Sequence, residues 1–245
     1  MNSEKNLKSS RKRKKLFYNF CYDFVKVTGA LPILLWLRPK IYRPYGTKTL
    51  KKGVLVSANH RSMLDPVIVH VIFPTRRMNC LATKDLFNTE LKRRFFNQMH
   101  CIEVDKDNFT LSAFHEVVLR LQNEKMVVIF PEGGLNRDKE DTIHTFKSGA
   151  VLMAHKSKKP ILPVYIVKRE KWYHRQRIVV GEPFYVSESV GAMPTLAEIN
   201  VASDNLRKME IELREYFESL PIYEKLNKNK EIELIEGRLK DEQKV

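Results

Sequence analysis

The feature that most constrains the fold is the alternation of short apolar runs with longer amphipathic stretches from Gly53 onward. Alternation of this kind is typical of a layered α/β domain with a mainly parallel sheet. The pattern predicts strands over 53–58, 78–82, 101–104, 126–130, 161–167 and 177–180. It predicts helices over 63–73, 85–98, 109–123, 146–157 and 195–219. We therefore expect a mainly parallel central sheet flanked by helices.

The chain divides into three predicted parts. With 245 residues and 43% hydrophobic content, it is large enough for one substantial core. No internal repeat and no linker rich in Gly, Ser or Pro divides its body. We expect a basic N-terminal membrane-association segment over 1–45, the α/β domain over 46–221, and a charged tail over 222–245. The tail is rich in Lys, Glu and Asn, which predicts a frayed helix or disorder.

The positive charge of the chain is concentrated at its N-terminus. The formal net charge is +15, and residues 1–53 contain fourteen Lys/Arg against only Glu4 and Asp23. Residues 1–15 are polar, have no apolar signal core, and are expected to be mobile. The run Arg11-Lys12-Arg13-Lys14-Lys15 could bind any polyanion, either nucleic acid or an anionic membrane.

An aromatic and aliphatic stretch follows the basic run and favours the membrane. Phe17, Phe20 and Phe24 recur at helical spacing, and an eleven-residue apolar run, 27–37, follows them. A helix needs about 20 apolar residues to cross a bilayer, so this run is too short. Because Gly29 and Pro32 break helices, we expect two short helices lying in one leaflet of an anionic membrane, on its cytoplasmic face. The alternative is that the stripe packs on the α/β domain.

The three cysteines, Cys21, Cys80 and Cys101, are few, widely spaced and odd in number. They outline neither a disulfide framework nor a zinc site, so a reducing compartment fits the sequence best.

The stretch Asn59-His60-Arg61-Ser62-Met63-Leu64-Asp65 lies on a predicted strand-to-helix turn. A histidine is suited to accept protons near neutral pH, and a carboxylate bonded to its other ring nitrogen orients it. Five residues rotate by about 140° in a helix, so His60 must lie in the loop if it is to meet Asp65. Ser62 and Asp65 read as a capping box; alternatively, Asp65 is the N-cap ahead of Pro66. A purely structural Asp65 beside a surface histidine is the other interpretation.

Three further stretches follow in order. They are Ile102-Glu103-Val104-Asp105-Lys106, Phe130-Pro131-Glu132-Gly133-Gly134 and Lys159-Pro160-Ile161-Leu162-Pro163-Val164. Together with Asn59-His60-x4-Asp65, they resemble the four motifs of the glycerolipid acyltransferases that include 1-acylglycerol-3-phosphate acyltransferase. The resemblance covers roughly residues 50 to 185, which lie within the predicted domain 46–221.

The resemblance implies transfer of a fatty acyl group from acyl-CoA or an acyl carrier protein to the sn-2 hydroxyl of 1-acylglycerol-3-phosphate. The product would be phosphatidate, made in phospholipid synthesis. In the family the histidine acts directly on the acceptor hydroxyl without an acyl-enzyme, which assigns His60 as base and Asp65 as its partner. The sequence contains no G-x-S-x-G nucleophile elbow. We expect no metal and no cofactor beyond the thioester co-substrate.

The resemblance also suggests acceptor-binding residues. Lys106 stands where the family has a phosphate-binding arginine, and Gly133-Gly134-Leu135 stands where it commonly has Gly-Thr-Arg. Arg137, two residues further on, is the candidate to replace that arginine, and Gly133 and Gly134 are candidates to let the acceptor approach the backbone closely. Lys84 resembles a lysine that the family places near the acceptor. Alternatively, it is an ordinary solvated lysine. Glu132 binds acceptor hydroxyls or, as we slightly favour, holds its loop.

Other functions remain open at this level. The same chemistry would serve glycerol-3-phosphate or another lysophospholipid as acceptor. A different class is a non-catalytic basic protein that binds membrane or nucleic acid. A metal hydrolase built on His60 and Asp65 lacks a convincing third ligand, because His70 lies on the apolar predicted helix 63–73.

Overall fold

The computed structural model describes residues 2–48, 50–105, 110–138, 142–169, 171–188, 190–224 and 226. Within these residues a seven-stranded sheet has the order β1-β7-β6-β2-β5-β3-β4. The strands are β1 (Lys40–Tyr42), β2 (Val54–Ala58), β3 (Met78–Thr83), β4 (Ile102–Val104), β5 (Met126–Ile129), β6 (Ile161–Ile166) and β7 (Arg177–Val180).

The expected mainly parallel sheet is confirmed. Strands β2 to β6 all run in one direction, while β7 is antiparallel to β6 and β1 is parallel to β7. The strands β2 to β7 lie where the apolar runs predicted them. Sequence analysis missed β1, because three residues with one aliphatic side chain give no pattern. The predicted N-terminal segment 1–45 therefore contributes an edge strand to the sheet.

Helices cover both faces of the sheet. They are α1 (Asn2–Leu37), α2 (Asp65–Ile72), α3 (Glu90–Gln98), α4 (Leu111–Gln122), α5 (Gly149–Ser157) and α6 (Leu196–Glu218). Side chains alternate across a strand, so Val54 and Val56 pack toward α2 and the end of α1, whereas Leu55 packs toward α4, α5 and α6. The predicted helix 85–98 is instead a 3-10 turn, Lys84–Phe87, followed by α3, whose Thr89 cap accepts a hydrogen bond from Lys92 N.

The helices predicted at the N-terminus are present as the two parts of one bent helix. A single helix begins at Asn2 and continues to Leu37 with Pro32 inside it. Its parts Asn19–Gly29 and Leu31–Leu37 meet at a 40° bend. A proline removes a helical hydrogen bond and crowds the preceding turn, so it bends this helix without ending it. Among the described residues no single helix has the length and apolarity to cross a bilayer, and these two parts meet that test only as a bent pair.

One face of α1 is attached to the domain by polar contacts. The Tyr22 hydroxyl is buried and accepts a hydrogen bond from Met78 N at 2.7 Å, where β3 begins. Asp23 pairs with Arg77, with Oδ1 2.9 Å from Arg77 Nε. Lys26 Nζ donates to the Arg76 carbonyl beyond the end of α2. These contacts fix the rotation of α1 against the sheet.

The beginning of the predicted tail 222–245 packs on the domain. Ile222 and Tyr223 lie against a cluster formed by α6 and the sheet, and the Tyr223 and Phe217 rings are 5.9 Å apart. Residue 225 and residues 227–245 lie outside the described part of the chain.

A buried carboxyl group lies between the sheet and α6. Glu210 is fully buried, and Ser57 Oγ of β2 donates a 2.6 Å hydrogen bond to its Oε1. Its Oε2 has no hydrogen-bond partner among the described residues. Burial raises the pKa of Glu210 to about 8. A neutral carboxyl is therefore the stable form of Glu210 at neutral pH in the folded chain.

Glu210 should make the chain less stable as the pH rises. A free glutamate has a pKa of about 4.3, so between that value and the folded pKa the folded chain holds one extra proton. The free energy of unfolding then falls by up to about 1.4 kcal/mol per pH unit through this window. We expect Glu210→Gln to gain stability relative to the wild type between about pH 5 and pH 8 in urea unfolding of the detergent-solubilised chain.

Glu212→Gln, an exposed position on the same helix, is the matched control. Its stability should follow the wild-type pH profile. A Glu210→Gln profile parallel to that of the wild type would show that Glu210 is ionised in the folded chain.

Candidate active site

His60 and Asp65 form a hydrogen-bonded pair at the carboxyl end of β2. His60 lies in the loop before α2, and Asp65 is the first residue of α2. His60 Nδ1 is 3.0 Å from Asp65 Oδ2. Because Nδ1 is occupied, Nε2 is the nitrogen left to exchange a proton, and no described residue hydrogen-bonds it. The loop position of His60 allows the contact that two positions of one helix would forbid.

Asp65 Oδ2 accepts three hydrogen bonds from the turn before α2. Besides His60 it accepts hydrogen bonds from Arg61 N and Ser62 N, both at 2.7 Å. The bond to Ser62 N is half of the predicted capping box; the other half is missing, because Ser62 Oγ bonds Leu64 N instead. The carboxylate therefore shapes the loop that carries His60 as well as orienting its ring.

The aromatic ring of Phe130 supports the imidazole. The His60 and Phe130 ring centroids are 4.0 Å apart with the planes 20° from parallel. Phe130 follows β5, the neighbour of β2, and the register Ser57↔Ile129 places it opposite Ala58, two residues before His60. The ring contact limits rotation of His60 about its side-chain bonds.

Glu132 holds the backbone of the site. Its side chain is 2% exposed, and Oε1 accepts a 3.0 Å hydrogen bond from His60 N. Its Oε2 accepts from Asn136 Nδ2 and from His144 N, at 3.1 and 3.2 Å. Glu132 therefore makes the loop-holding contacts that sequence analysis slightly favoured for it.

Two asparagines make further hydrogen bonds to the backbone around the site. Sequence analysis assigned them no role. Asn59 exchanges two hydrogen bonds with the Ile166 backbone, which ties the end of β2 to the end of β6. Asn136 N donates to the His60 carbonyl at 2.7 Å. Both side chains are buried, and a single asparagine in a loop gives no sequence signal for such a contact.

Gly133 and Gly134, the two glycines of the motif after β5, differ in whether a residue with a side chain could replace them. Gly133 has φ +77°, and an added Cβ would lie 2.6 Å from Lys147 Cε. Gly134 has no neighbouring atom within 4 Å of its Cβ position. Only Gly133 is therefore needed for its backbone conformation.

The predicted acceptor residues are distributed over two sides of the pair. Lys84 is exposed at the end of β3, which β5 separates from β2, so it lies about 10 Å, two strand spacings, from β2. Arg137 lies on the other side, in a pocket of about 490 Å³ between Asp65 and the β6–β7 connection. Lys106 lies outside the described residues.

Cys80 of β3 and Cys101, just before β4, are unsuited to act as nucleophiles. Burial raises the pKa of the Cys101 thiol to about 11 and raises that of Cys80 further. Both thiols are therefore protonated and weakly reactive at neutral pH. In the described ranges no group of three or more His, Cys, Asp or Glu side chains is placed to hold a metal ion.

An imidazole oriented by a buried carboxylate lies at the carboxyl end of a mainly parallel sheet, an arrangement suited to proton transfer. The chain belongs to the acyltransferase family, whose model matches residues 39–167. This span includes the pair, the loop after β5 and all of β6.

Two named relatives show which kind of acyltransferase the chain is similar to. A probable 1-acyl-sn-glycerol-3-phosphate acyltransferase of Mycoplasma pneumoniae is 30% identical over 156 residues, covering 59% of this chain and 56% of the relative. The 1-acyl-sn-glycerol-3-phosphate acyltransferase of Borreliella burgdorferi is 27% identical, covering 62% of this chain and 61% of the relative. This chain thus spans less than two thirds of the length of either relative.

A solved structure has the same fold. The crystal structure of the 1-acyl-sn-glycerophosphate (LPA) acyltransferase PlsC from Thermotoga maritima matches with a TM-score of 0.60 and 16% identity. The match covers 84% of each chain. At this identity the match establishes the fold alone.

Gly133→Ala should destabilise the chain by about 1–2 kcal/mol, because a side chain is strained at positive φ. The added methyl group would also displace Lys147. Gly134→Ala is the matched control and should change stability by less than about 0.5 kcal/mol. Urea unfolding of both variants tests this. Equal losses would show that positive φ at Gly133 is not the cause.

Proposed function

We propose that the protein transfers a fatty acyl group from an acyl thioester to the sn-2 hydroxyl of 1-acylglycerol-3-phosphate, forming phosphatidate. The observation that carries the proposal is the 3.0 Å contact between His60 Nδ1 and Asp65 Oδ2. The names of the relatives support the choice of acceptor. The donor is acyl-CoA or acyl carrier protein, and the reaction needs no metal or other cofactor.

The reaction is direct attack by the acceptor. His60 Nε2 accepts the hydroxyl proton while the acceptor oxygen bonds to the thioester carbonyl carbon. Asp65 stabilises the imidazolium through Nδ1. When the carbon–sulfur bond breaks, the imidazolium returns the proton to the leaving thiolate, so the products are an ester and a free thiol. Burial raises the pKa of the Cys80 and Cys101 thiols, so neither is a suitable nucleophile, and an acyl-enzyme is not part of the proposal.

The basic residues predicted to bind the acceptor suggest a second candidate function, which is acylation of a different acceptor. Lys84 lies on the β3 side of the pair, and Lys106, outside the described residues, belongs to the same predicted acceptor set. Leu135, however, stands where the resemblance to the family implies an arginine, so one implied phosphate contact is absent at that position. This difference favours testing glycerol-3-phosphate and other lysophospholipids as acceptors. A panel of acceptors in detergent micelles with labelled acyl-CoA and acyl carrier protein discriminates between them.

His60→Ala should lower kcat by a factor of about 10² to 10⁴, the range of general-base catalysis. The substitution also removes the Phe130 ring contact and one of the three hydrogen bonds to Asp65 Oδ2, so the melting temperature should fall while the protein remains folded. The test is the acyl-transfer rate alongside a thermal melt. Turnover near the wild-type value in a folded His60→Ala protein would remove His60 from the mechanism.

Asp65→Asn should also lower both kcat and the melting temperature. An amide oxygen accepts hydrogen bonds from Arg61 N, Ser62 N and His60 less strongly than a carboxylate does. The turn before α2 should therefore be less stable, and the His60 tautomer that donates from Nδ1 should be less favoured.

We also propose that α1 binds the cytoplasmic face of an anionic membrane. An apolar stripe on α1, opposite the face that carries Tyr22, is between 56% and 72% exposed and comprises Phe17, Phe20, Phe24, Val27, Leu31 and Leu35. Positions two residues apart in a helix lie about 200° apart, which explains why Phe20 and Phe24 point away when Tyr22 is buried. The stripe is therefore not packed on the domain, the alternative left open by the sequence.

Charge and redox chemistry support the same location. The basic run 11–15 continues the helix beyond the stripe, which adds electrostatic attraction to anionic lipid. Cys21, Cys80 and Cys101 are free thiols, which is consistent with a reducing compartment.

Phe20→Asp/Phe24→Asp/Leu31→Asp should release the protein from anionic liposomes, because each change replaces inserted apolar area with a charge that the bilayer excludes. Binding by the wild type should weaken only in part with salt, since apolar insertion is not screened. Sedimentation across a salt series measures both effects. The matched control is Met193→Asp/Leu196→Asp/Val201→Asp, three exposed apolar positions near α6. If both triple variants sediment equally with liposomes, the stripe is not the anchor.

A further inference from the structure

The pocket beside Asp65 is rich in cationic side chains. Within its described lining, five basic residues outnumber the two carboxylates of Asp65 and Asp138, and the basic residues are Arg61, Arg137, Lys168, Arg169 and Lys171. They come from three separate segments: the loop after β2, the loop after β5 and the β6–β7 connection. Convergence of cations from three segments is suited to a ligand that carries several negative charges.

The local contacts of the pocket hold its walls in place. Arg61 Nη2 donates to the Asp138 carbonyl at 2.7 Å, which joins the loop after β2 to the loop after β5. The Arg169 guanidinium lies 4.5 Å from the Trp36 ring centroid, which joins the β6–β7 connection to the end of α1. The pocket is therefore shaped by two contacts between segments that are distant in the sequence.

The size and rim of the pocket suit a nucleotide. A volume of about 490 Å³ falls in the range that holds drug-sized ligands and exceeds the needs of one phosphate group. Trp172 is 71% exposed at the rim, and Arg169 Nη1 donates to its carbonyl at 3.1 Å. Tyr173 meets the indole edge-on, with the two planes at 88°, so a ring face of Trp172 is available to stack on a base.

The pocket lies beside Asp65 rather than around His60. Asp65 lines it and holds His60 Nδ1, whereas His60 is not among the described lining residues. The phosphate of 1-acylglycerol-3-phosphate is attached to the carbon next to the one bearing the hydroxyl, and must stay close to Nε2. In acyl-CoA the long pantetheine arm separates the nucleotide from the thioester, so the two can occupy different sides of the pair.

We propose that this pocket binds the adenosine bisphosphate part of acyl-CoA, with the phosphates on Arg61, Arg137 and Lys168 and the adenine on Trp172. The inference rests on the acyl transfer proposed above and specifies its donor. It reassigns Arg137 from the acceptor to the donor. An acyl carrier protein presents a single phosphodiester and no base, so it would use little of this pocket.

The first test is direct binding of CoA, dephospho-CoA and pantetheine to the full-length protein in micelles, measured by calorimetry. Lys168→Glu/Lys171→Glu should weaken CoA binding by about tenfold or more, because two attractions to phosphate become repulsions. Trp172→Ala should weaken CoA and dephospho-CoA alike. The matched control, Lys156→Glu/Lys208→Glu, makes the same charge change at exposed positions on α5 and α6 and should leave the Kd of CoA unchanged.

The second test separates donor from acceptor. In Arg137→Ala and Lys168→Glu/Lys171→Glu we expect the KM for acyl-CoA to rise by about tenfold. The kcat and the KM for 1-acylglycerol-3-phosphate should stay near wild type. A rise in the acceptor KM instead would place the acceptor phosphate in the pocket and overturn the proposal. Equal rises for acyl-CoA and acyl carrier protein, with dephospho-CoA binding as tightly as CoA, would overturn it as well.

The two proposals can fail separately. If the protein binds CoA through this pocket but transfers no acyl group to any acceptor, the proposed function fails and the nucleotide site stands. If it transfers acyl groups while CoA affinity is unchanged in every pocket variant, the function stands and the site is wrong.

Discussion

One buried carboxylate organises the chemistry of this protein. Asp65 is 2% exposed, and its Oδ2 accepts from the His60 ring and from two successive backbone N–H groups. A buried anion is stable only when its charge is compensated by hydrogen bonds, so the tight turn before α2 and the orientation of the imidazole arise from the same requirement. A change at Asp65 therefore cannot alter the base without also altering the loop.

The rest of the site is held by buried polar groups that join strand ends. Asn59 ties β2 to β6 through the Ile166 backbone, and Glu132 ties the loop after β5 to His60 N. Parallel strands bring these segments to one edge of the sheet, but they leave the loop backbone without ladder partners. The side chains of the motifs supply those partners. In this chain Asn59 and Glu132 therefore hold the loop backbone of the site.

The two faces of α1 separate the domain from the proposed membrane. Tyr22, Asp23 and Lys26 hold the inner face on the start of β3 and the end of α2, while the aromatic stripe faces outward. Near its end, α1 also meets the cationic pocket, because Trp36 lies under Arg169. In the proposed arrangement a lipid acceptor and a water-soluble donor approach the His60–Asp65 pair from different directions.

The sequence by itself determined the α/β class, the strands β2 to β7, the His60–Asp65 pairing and the acyltransferase resemblance, because hydrophobic periodicity and motif spacing are local properties of a chain. Only the tertiary structure decided the place of β1, the continuity of α1 through Pro32, the roles of Asn59 and Asn136 in the backbone, and the separation of Arg137 from Lys84. Apart from the continuity of α1, each of these depends on contacts between segments far apart in the sequence. Three residues of β1 become a strand only because β7 lies beside them. Arg137 lines the same pocket as Asp65 because its loop passes the end of β2, where Asn136 N donates to the His60 carbonyl.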